Sequence, residues 1–217
     1  MAFFTSELRG TFCAFRKDGA PIVRQRYEAN LYNNGLSEDG HFACCQTCNS
    51  GSETDSSVLT IFDLIAAKEI SRFMPESGWA SGYDFSNPGL IKLEYPDRKA
   101  VGYSVTGEFV DRGRWIEDGL ARGDLLIIGQ AAREAADPLS MDDADRLIQA
   151  CDVGLRDRMW RDPQWQAQGL RVKAECYDRT GRLSDALRNY QQALAANPKV
   201  GVKRRAQQVE KLLKAGQ

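Results

Sequence analysis

Up to about residue 111 the apolar residues come in short runs, rich in β-branched and aromatic side chains and bounded by Gly, Pro, Asn or Asp. "TFCAF" (11–15) and "PIVRQRY" (21–27) flank "RKDGA", whose Asp18-Gly19 pair is a hairpin signal, because glycine accepts the positive φ of a tight turn. A second turn, "SEDG" (37–40), leads into "HFACCQT". "SVLTIFDL" (57–64), the turn-like "AAK" and "EISRFM" (69–74) follow. Beyond a break bearing Gly, Ser and Pro come "GLIKLEYP" (89–96), "AVGYSV" (100–105), the turn "TG" and "EFVD" (108–111). Runs of this kind suit a pleated, half-buried surface, so the pattern predicts an antiparallel β module over residues 1–111.

From about residue 113 the apolar spacing becomes helical. "RWIEDGLARGDLLIIGQAAREAAD" (114–137) predicts two short helices broken at Gly123. Pro138 interrupts, and Ser140 with Asp143 three residues on predicts a capped helix start. Residues 141–160 are expected to stay helical until Pro163 restarts the chain, and three more helical runs cover 164–180, 183–197 and 201–215. No β pattern recurs, so residues 112–217 form an all-α domain and the whole chain is expected to be α+β.

Residues 167–200, "AQGLRVKAECYDRTGRLSDALRNYQQALAANPKV", resemble one tetratricopeptide repeat, a helix–turn–helix unit of about 34 residues. Ala174 stands at the small position of the first helix and Tyr177 at its aromatic position. Gly181 lies in the turn, Ala186, Tyr190 and Ala193 form the small-large-small stripe of the second helix, and Pro198 closes the unit. Leu170 replaces the usual tryptophan, and Lys173 stands where leucine is expected. One repeat cannot bury its own apolar face. Ala144, Leu147, Cys151 and Leu155 are therefore assigned to a degenerate neighbour, and "VKRRAQQVEKLLKAG" to a polar capping helix. The resemblance implies a scaffold whose concave face holds a peptide or helix of another protein, with Gln168, Arg171, Glu175 and Asp178 lining that face.

In the first half, the "S-x-D-G-x-x" turn and the "L-x-I-F-D-L" strand within residues 36–64 resemble a WD40-like β-propeller blade. "GLIKLEYPDRKAVGYSVTGEFVD" (89–111) loosely resembles a second such unit. Blades take about 40 residues and closed rings need at least about four, so no ring closes within this length. The sheet is expected either to stand alone or to be completed at its edges by a partner.

Composition narrows the function classes. The chain has 217 residues, a net charge of −1 and 27% charged residues, which gives no long-range attraction for nucleic acid or anionic lipid. The start, "MAFFTSELRGTFCAF", lacks the apolar stretch of a secretory signal, and the longest apolar run, "LLIIG", is far short of a membrane span. Six cysteines without a signal point to reduced thiols and a cytoplasmic setting. "HFACCQTC" (41–48) holds His41, the single histidine, with Cys44, Cys45 and Cys48. On a strand, Cys44 and Cys48 share a face about 13 Å apart while Cys45 points the other way. One zinc ion cannot span that, so neither metal nor cofactor is expected. P-loop, G-x-G-x-x-G and G-x-S-x-G patterns are missing, and Asp142, Asp143 and Asp145 sit in a helix's first turn, where negative charge is favourable anyway.

The sequence thus points to a non-catalytic adaptor or regulatory subunit that binds another protein. The binding surface is the helical groove or an open sheet edge, which also allows a homodimer. The alternative is a nucleic-acid-associated accessory protein using the basic last helix, with Lys203, Arg204, Arg205 and Lys211 as contacts.

Overall fold

Among the described residues, ten strands precede six helices. The computed structural model describes residues 2–5, 10–48, 55–156 and 161–215, and the chain divides into two units, Met1–Arg112 and Gly113–Gln217.

The first unit is built of three consecutive antiparallel sheets. Strands β1 (Ala2–Thr5), β2 (Gly10–Phe15) and β3 (Pro21–Tyr27) form one. Strands β4 (Asn30–Leu36), β5 (Phe42–Cys48), β6 (Leu59–Asp63) and β7 (Lys68–Phe73) form a four-stranded meander, and β8 (Gly82–Asp84), β9 (Leu90–Glu94) and β10 (Val101–Ser104) the third. The sheets do not close into a ring. Both expected turns form, with Gly19 at φ +87° and Gly40 at φ +70°. Side chains tie the second: Ser37 Oγ donates to Asp39 Oδ1 (2.6 Å), and the Phe42 N–H donates to Ser37 Oγ (2.8 Å). Asp63 ends β6 by accepting the N–H groups of Ile65 (2.9 Å) and Ala66 (2.8 Å).

Three features of this unit differ from expectation. Strand β4, "NLYNNGL", is too rich in Asn to read as a strand, yet it pairs along β5 with a register shift between Leu31 and Asn33. Asn33 Nδ2 donates to Ala80 O (3.1 Å), and Gly35 lies so close to Tyr83 of β8 that a Cβ would come within 2.9 Å of it. Strand β8 lies in the expected break. "EFVD" reduces to a single bridge, Tyr103 to Phe109, because Val110 and Asp111 both turn back to donate to Gly102 O.

Phe12, Tyr27, Cys45 and Phe62 form the core between the first two sheets, with the Phe12 and Phe62 rings stacked 5.0 Å apart. Gln46, fully buried, fixes the connection from β7 to β8: its Nε2 donates to Gly78 O (3.1 Å), while Oε1 accepts the Ala80 N–H (2.9 Å) and the Tyr83 hydroxyl (3.0 Å). Cys44 and Cys45 are buried on opposite faces of β5, one beside Gly35 and the other donating to Tyr27 Oη (3.2 Å).

The second unit is helical: α1 (Arg112–Arg122), α2 (Leu125–Glu134), α3 (Met141–Arg156), α4 (Pro163–Arg179), α5 (Leu183–Ala196) and α6 (Lys203–Ala215). Gly123 (φ +71°) separates α1 from α2, and Asp124 caps α2 by accepting the Leu126 N–H (3.0 Å). Ser140 Oγ accepts the Asp143 N–H (3.1 Å) and donates to its carboxylate (2.6 Å), the capped start expected for α3. Asp162 caps α4, with Pro163 in the first turn, where its missing N–H costs nothing. The expected continuation of α3 through 157–160 lies outside the described residues.

Helices α4 and α5 form a hairpin turned at Gly181 (φ +74°). Ala174, Ala186 and Ala193 are fully buried, and their lack of bulk lets the two backbones approach while Tyr190 fills the seam. Burying a side chain of that size contributes about 1.5–3 kcal/mol. Ala144, Leu147 and Cys151 of α3 sit in a neighbouring core with Cys176 of α4, and Leu155 touches both cores. Lys173, the polar residue at an expected leucine position, stays useful there: its Nζ donates to Asp152 Oδ1 of α3 (2.5 Å). Val202, Ala206 and Val209 turn one face of α6 onto the end of the stack.

Candidate functional site

About three turns of α4 place Gln168, Arg171, Glu175 and Asp178 on one side, since residues three and four apart share a helical face. They border two adjoining concavities. The first, of about 350 Å³, lies between α2 and α4 and takes in Gln168, Arg171 and Glu175, with Leu126, Arg133 and Trp165 at its rim. The second, of about 370 Å³, lies between α4 and α6 and takes in Asp178, Tyr190 and Arg205, sharing Arg171, Glu175 and Arg179 with the first. The four residues singled out from the sequence thus line two neighbouring concavities that share Arg171 and Glu175.

The charges in it are ordered by named contacts. Arg171 Nε pairs with Glu175 Oε1 (2.7 Å), one turn away on the same helix. Asp178, only 7% exposed, receives a two-pronged contact from Arg205 (2.5 and 2.7 Å) and a hydrogen bond from the Tyr190 hydroxyl (3.0 Å). Burial first, and then that neighbouring carboxylate, push the Tyr190 hydroxyl above its ordinary pKa, so it serves as a neutral donor. Arg179 points at the end of α2, donating to the carbonyl oxygens of Ala132 (3.1 Å), Ala135 (3.3 Å) and Ala136 (2.6 Å). These are the orphan acceptors of a helix C-terminus, where a cation is also favoured by the helix dipole.

Two of these features escaped the sequence. Helix α2 supplies one wall of the groove, whereas the repeat reading placed a neighbouring helix only at α3. The signal was present in small residues: Gly129 and Ala132 line the groove beside α4. Arg205, grouped by sequence with Lys203, Arg204 and Lys211 as a possible phosphate contact, turns instead into the groove and binds Asp178. Lys203, Arg204 and Lys211 are exposed on the other side of α6 and make no ion pair among the described residues.

Cys176 lines the first concavity but is 2% exposed, and burial pushes its thiol up to about 11, leaving little thiolate at neutral pH. In the β unit His41 Nε2 lies 3.4 Å from Asp63 Oδ1 and stacks on Phe42. The nearby Ser37 hydroxyl is engaged by Asp39 and the Phe42 backbone, so this trio lacks the serine-to-histidine contact of a nucleophilic site. Ser77 meets the hydroxyls of Tyr95 (2.6 Å) and Tyr103 (3.0 Å), and burial raises both phenols, so neither acts as its base near neutral pH. Among the described residues no cluster of three or more His, Cys, Asp or Glu has the arrangement of a metal site.

No family model and no curated protein matches this chain, and the likeness of residues 167–200 to a tetratricopeptide repeat remains one of residues and spacing.

Proposed function

We propose that the chain is a non-catalytic adaptor or regulatory subunit whose helical unit binds a peptide segment of another protein in the groove lined by α2, α4 and α6. The observation that carries this reading is the placement of Gln168, Arg171, Glu175 and Asp178 along two adjoining concavities that share Arg171 and Glu175, the first of them lined by the exposed Leu126 and Trp165. Large apolar side chains left to water beside ordered charged groups are what a peptide groove requires: anchors for affinity and polar groups for orientation. No helix among the described residues is long and apolar enough to cross a membrane. We place the protein's work in the cytoplasm, the setting that suits six unpaired thiols. The outer strands of the sheets offer a second surface, for strand addition or a second copy.

A photo-crosslinking residue introduced at Gln168, compared with one at Gln207 on the outer side of α6, tests the groove in the full chain. A partner captured from Gln168 and not from Gln207 supports the proposal. Equal capture from both positions, or none from Gln168, removes it. The nucleic-acid alternative keeps one favourable observation, the exposed Lys203, Arg204 and Lys211. Against it stand the loss of Arg205 to Asp178 and the lack of aromatic side chains on α6 for base stacking.

A further inference from the structure

The groove between α2 and α4 is graded from end to end. The two helices run in the same direction. Arg179, at the C-terminal end of α4, binds carbonyl oxygens at the C-terminal end of α2, while Trp165, in the first turn of α4, lines the same concavity as Leu125 and Leu126 in the first turn of α2. One end is therefore apolar, with Leu126 70% and Trp165 45% exposed. The other end holds Arg133 and Arg179.

These two cations differ from the other two in the groove. Arg171 and Arg205 are matched by Glu175 and Asp178. Arg179 spends its hydrogen bonds on uncharged carbonyl oxygens, and Arg133 makes neither a hydrogen bond nor an ion pair among the described residues. Glu134, next to Arg133 in sequence, lines a different concavity, with Ile116 and Arg146, and engages Gln130. The C-terminal dipole of α2 supplies about half a negative charge, which, among the described residues, leaves most of the two positive charges uncompensated.

Resting on the peptide-binding reading above, we infer that the occupant is an extended acidic segment of a partner protein with one large apolar anchor, seated with the anchor at Leu126 and Trp165 and its carboxylates at Arg133 and Arg179. Helical rise sets the spacing. From Leu126 to Arg133 is about 10 Å and from Trp165 to Arg179 about 21 Å, so the carboxylates lie about three to six residues from the anchor of an extended chain. A nucleic-acid strand fits the same site poorly, because neutralising only about two phosphates gives weak binding at physiological salt.

The test uses the full chain and fluorescein-labelled peptides carrying one Leu, a spacer of Ser residues and a run of Glu, with matched sets in which Glu is replaced by Gln or by Lys. The acidic set should bind most tightly. Arg133→Gln, at a side chain with no partner among the described residues, should weaken the acidic set about three- to fivefold and leave the Gln set unchanged. Trp165→Ala should weaken the acidic and Gln sets alike, by about tenfold, as removal of an aromatic anchor does. Lys211→Gln, outside the groove, should alter none of them, and far-UV circular dichroism confirms that each variant is folded. If the Gln or Lys set binds as well as the acidic set and still depends on Trp165, the groove is a peptide site and the acidic assignment is wrong. If no set binds at millimolar concentration, both readings fall. A single-stranded oligothymidine that binds more tightly than the acidic peptides and loses affinity in Arg133→Gln would hand the groove to nucleic acid and overturn the inference.

Discussion

Gln46 and Asp178 show how much single buried polar groups organise in this protein. Gln46 satisfies three partners at once in a site closed to water, so Gln46→Leu would fill the space yet strand Gly78 O, the Ala80 N–H and the Tyr83 hydroxyl. We expect a loss of about 3 kcal/mol, measured as a lowered urea midpoint of the β unit, since each buried unsatisfied group costs about 1–3 kcal/mol. Asp178 is held by both Arg205 and Tyr190, so Tyr190→Phe removes one of two supports and should cost only about 1 kcal/mol. The thiols obey the same logic of burial. Burial pushes Cys45 up to about 12 and Cys176 to about 11 from an ordinary 9.0, so both stay neutral in the native state. A raised folded-state pKa contributes stability that is complete below the unfolded value and is lost as pH climbs through the folded one. Melting temperature should therefore hold up to about pH 9 and fall steadily towards pH 11, and a flat profile would contradict the assignment. In the native protein, disulfide-exchange reagent should modify Cys48 first, because it alone among the six cysteines is more than marginally exposed.

Turns and close approaches explain where the elements begin and end. Gly123 and Gly181 both carry positive φ, yet they differ in surroundings. A Cβ on Gly123 would lie 2.2 Å from the Gly154 backbone nitrogen of α3, whereas one on Gly181 would meet nothing within 4 Å. Gly181→Ala should thus cost only the left-handed backbone penalty, about 1 kcal/mol, and Gly123→Ala at least about 2 kcal/mol more, because two backbones must move apart. Chemical denaturation of the two variants, followed by helical circular dichroism, checks the difference. The helix starts at Ser140 and Pro163 and the hairpin turns at Gly19 and Gly40 were legible in advance because each is fixed by chemistry within a few residues. Strands β4 and β8 were not. The Asn-rich "NLYNNGL" has poor intrinsic strand propensity and holds its place through Asn33 and Gly35 meeting Ala80 and Tyr83, contacts that appear only once the sheets are assembled.

At the scale of the whole molecule, an α+β chain presents unclosed sheets in one unit and a graded groove in the other. If the groove takes a peptide anchored by apolar contact, raising salt from low to moderate concentration should weaken binding only a few-fold. Phosphate binding on Lys203, Arg204 and Lys211 would instead fall steeply over the same range, so a salt titration of whichever ligand is found separates the two modes. The sequence alone determined the change of period near residue 112, the hairpin turns, the Ser140 start of α3 and the face of α4 that carries Gln168, Arg171, Glu175 and Asp178. Each of these depends on neighbours within a turn or two of the chain. Tertiary structure alone decided that α2 would be the opposite wall, that Arg205 would leave the basic group of α6 for Asp178, and that Arg133 would have no carboxylate partner among the described residues. Those outcomes depend on which side chains distant in sequence arrive at the same place, and no local pattern encodes that meeting.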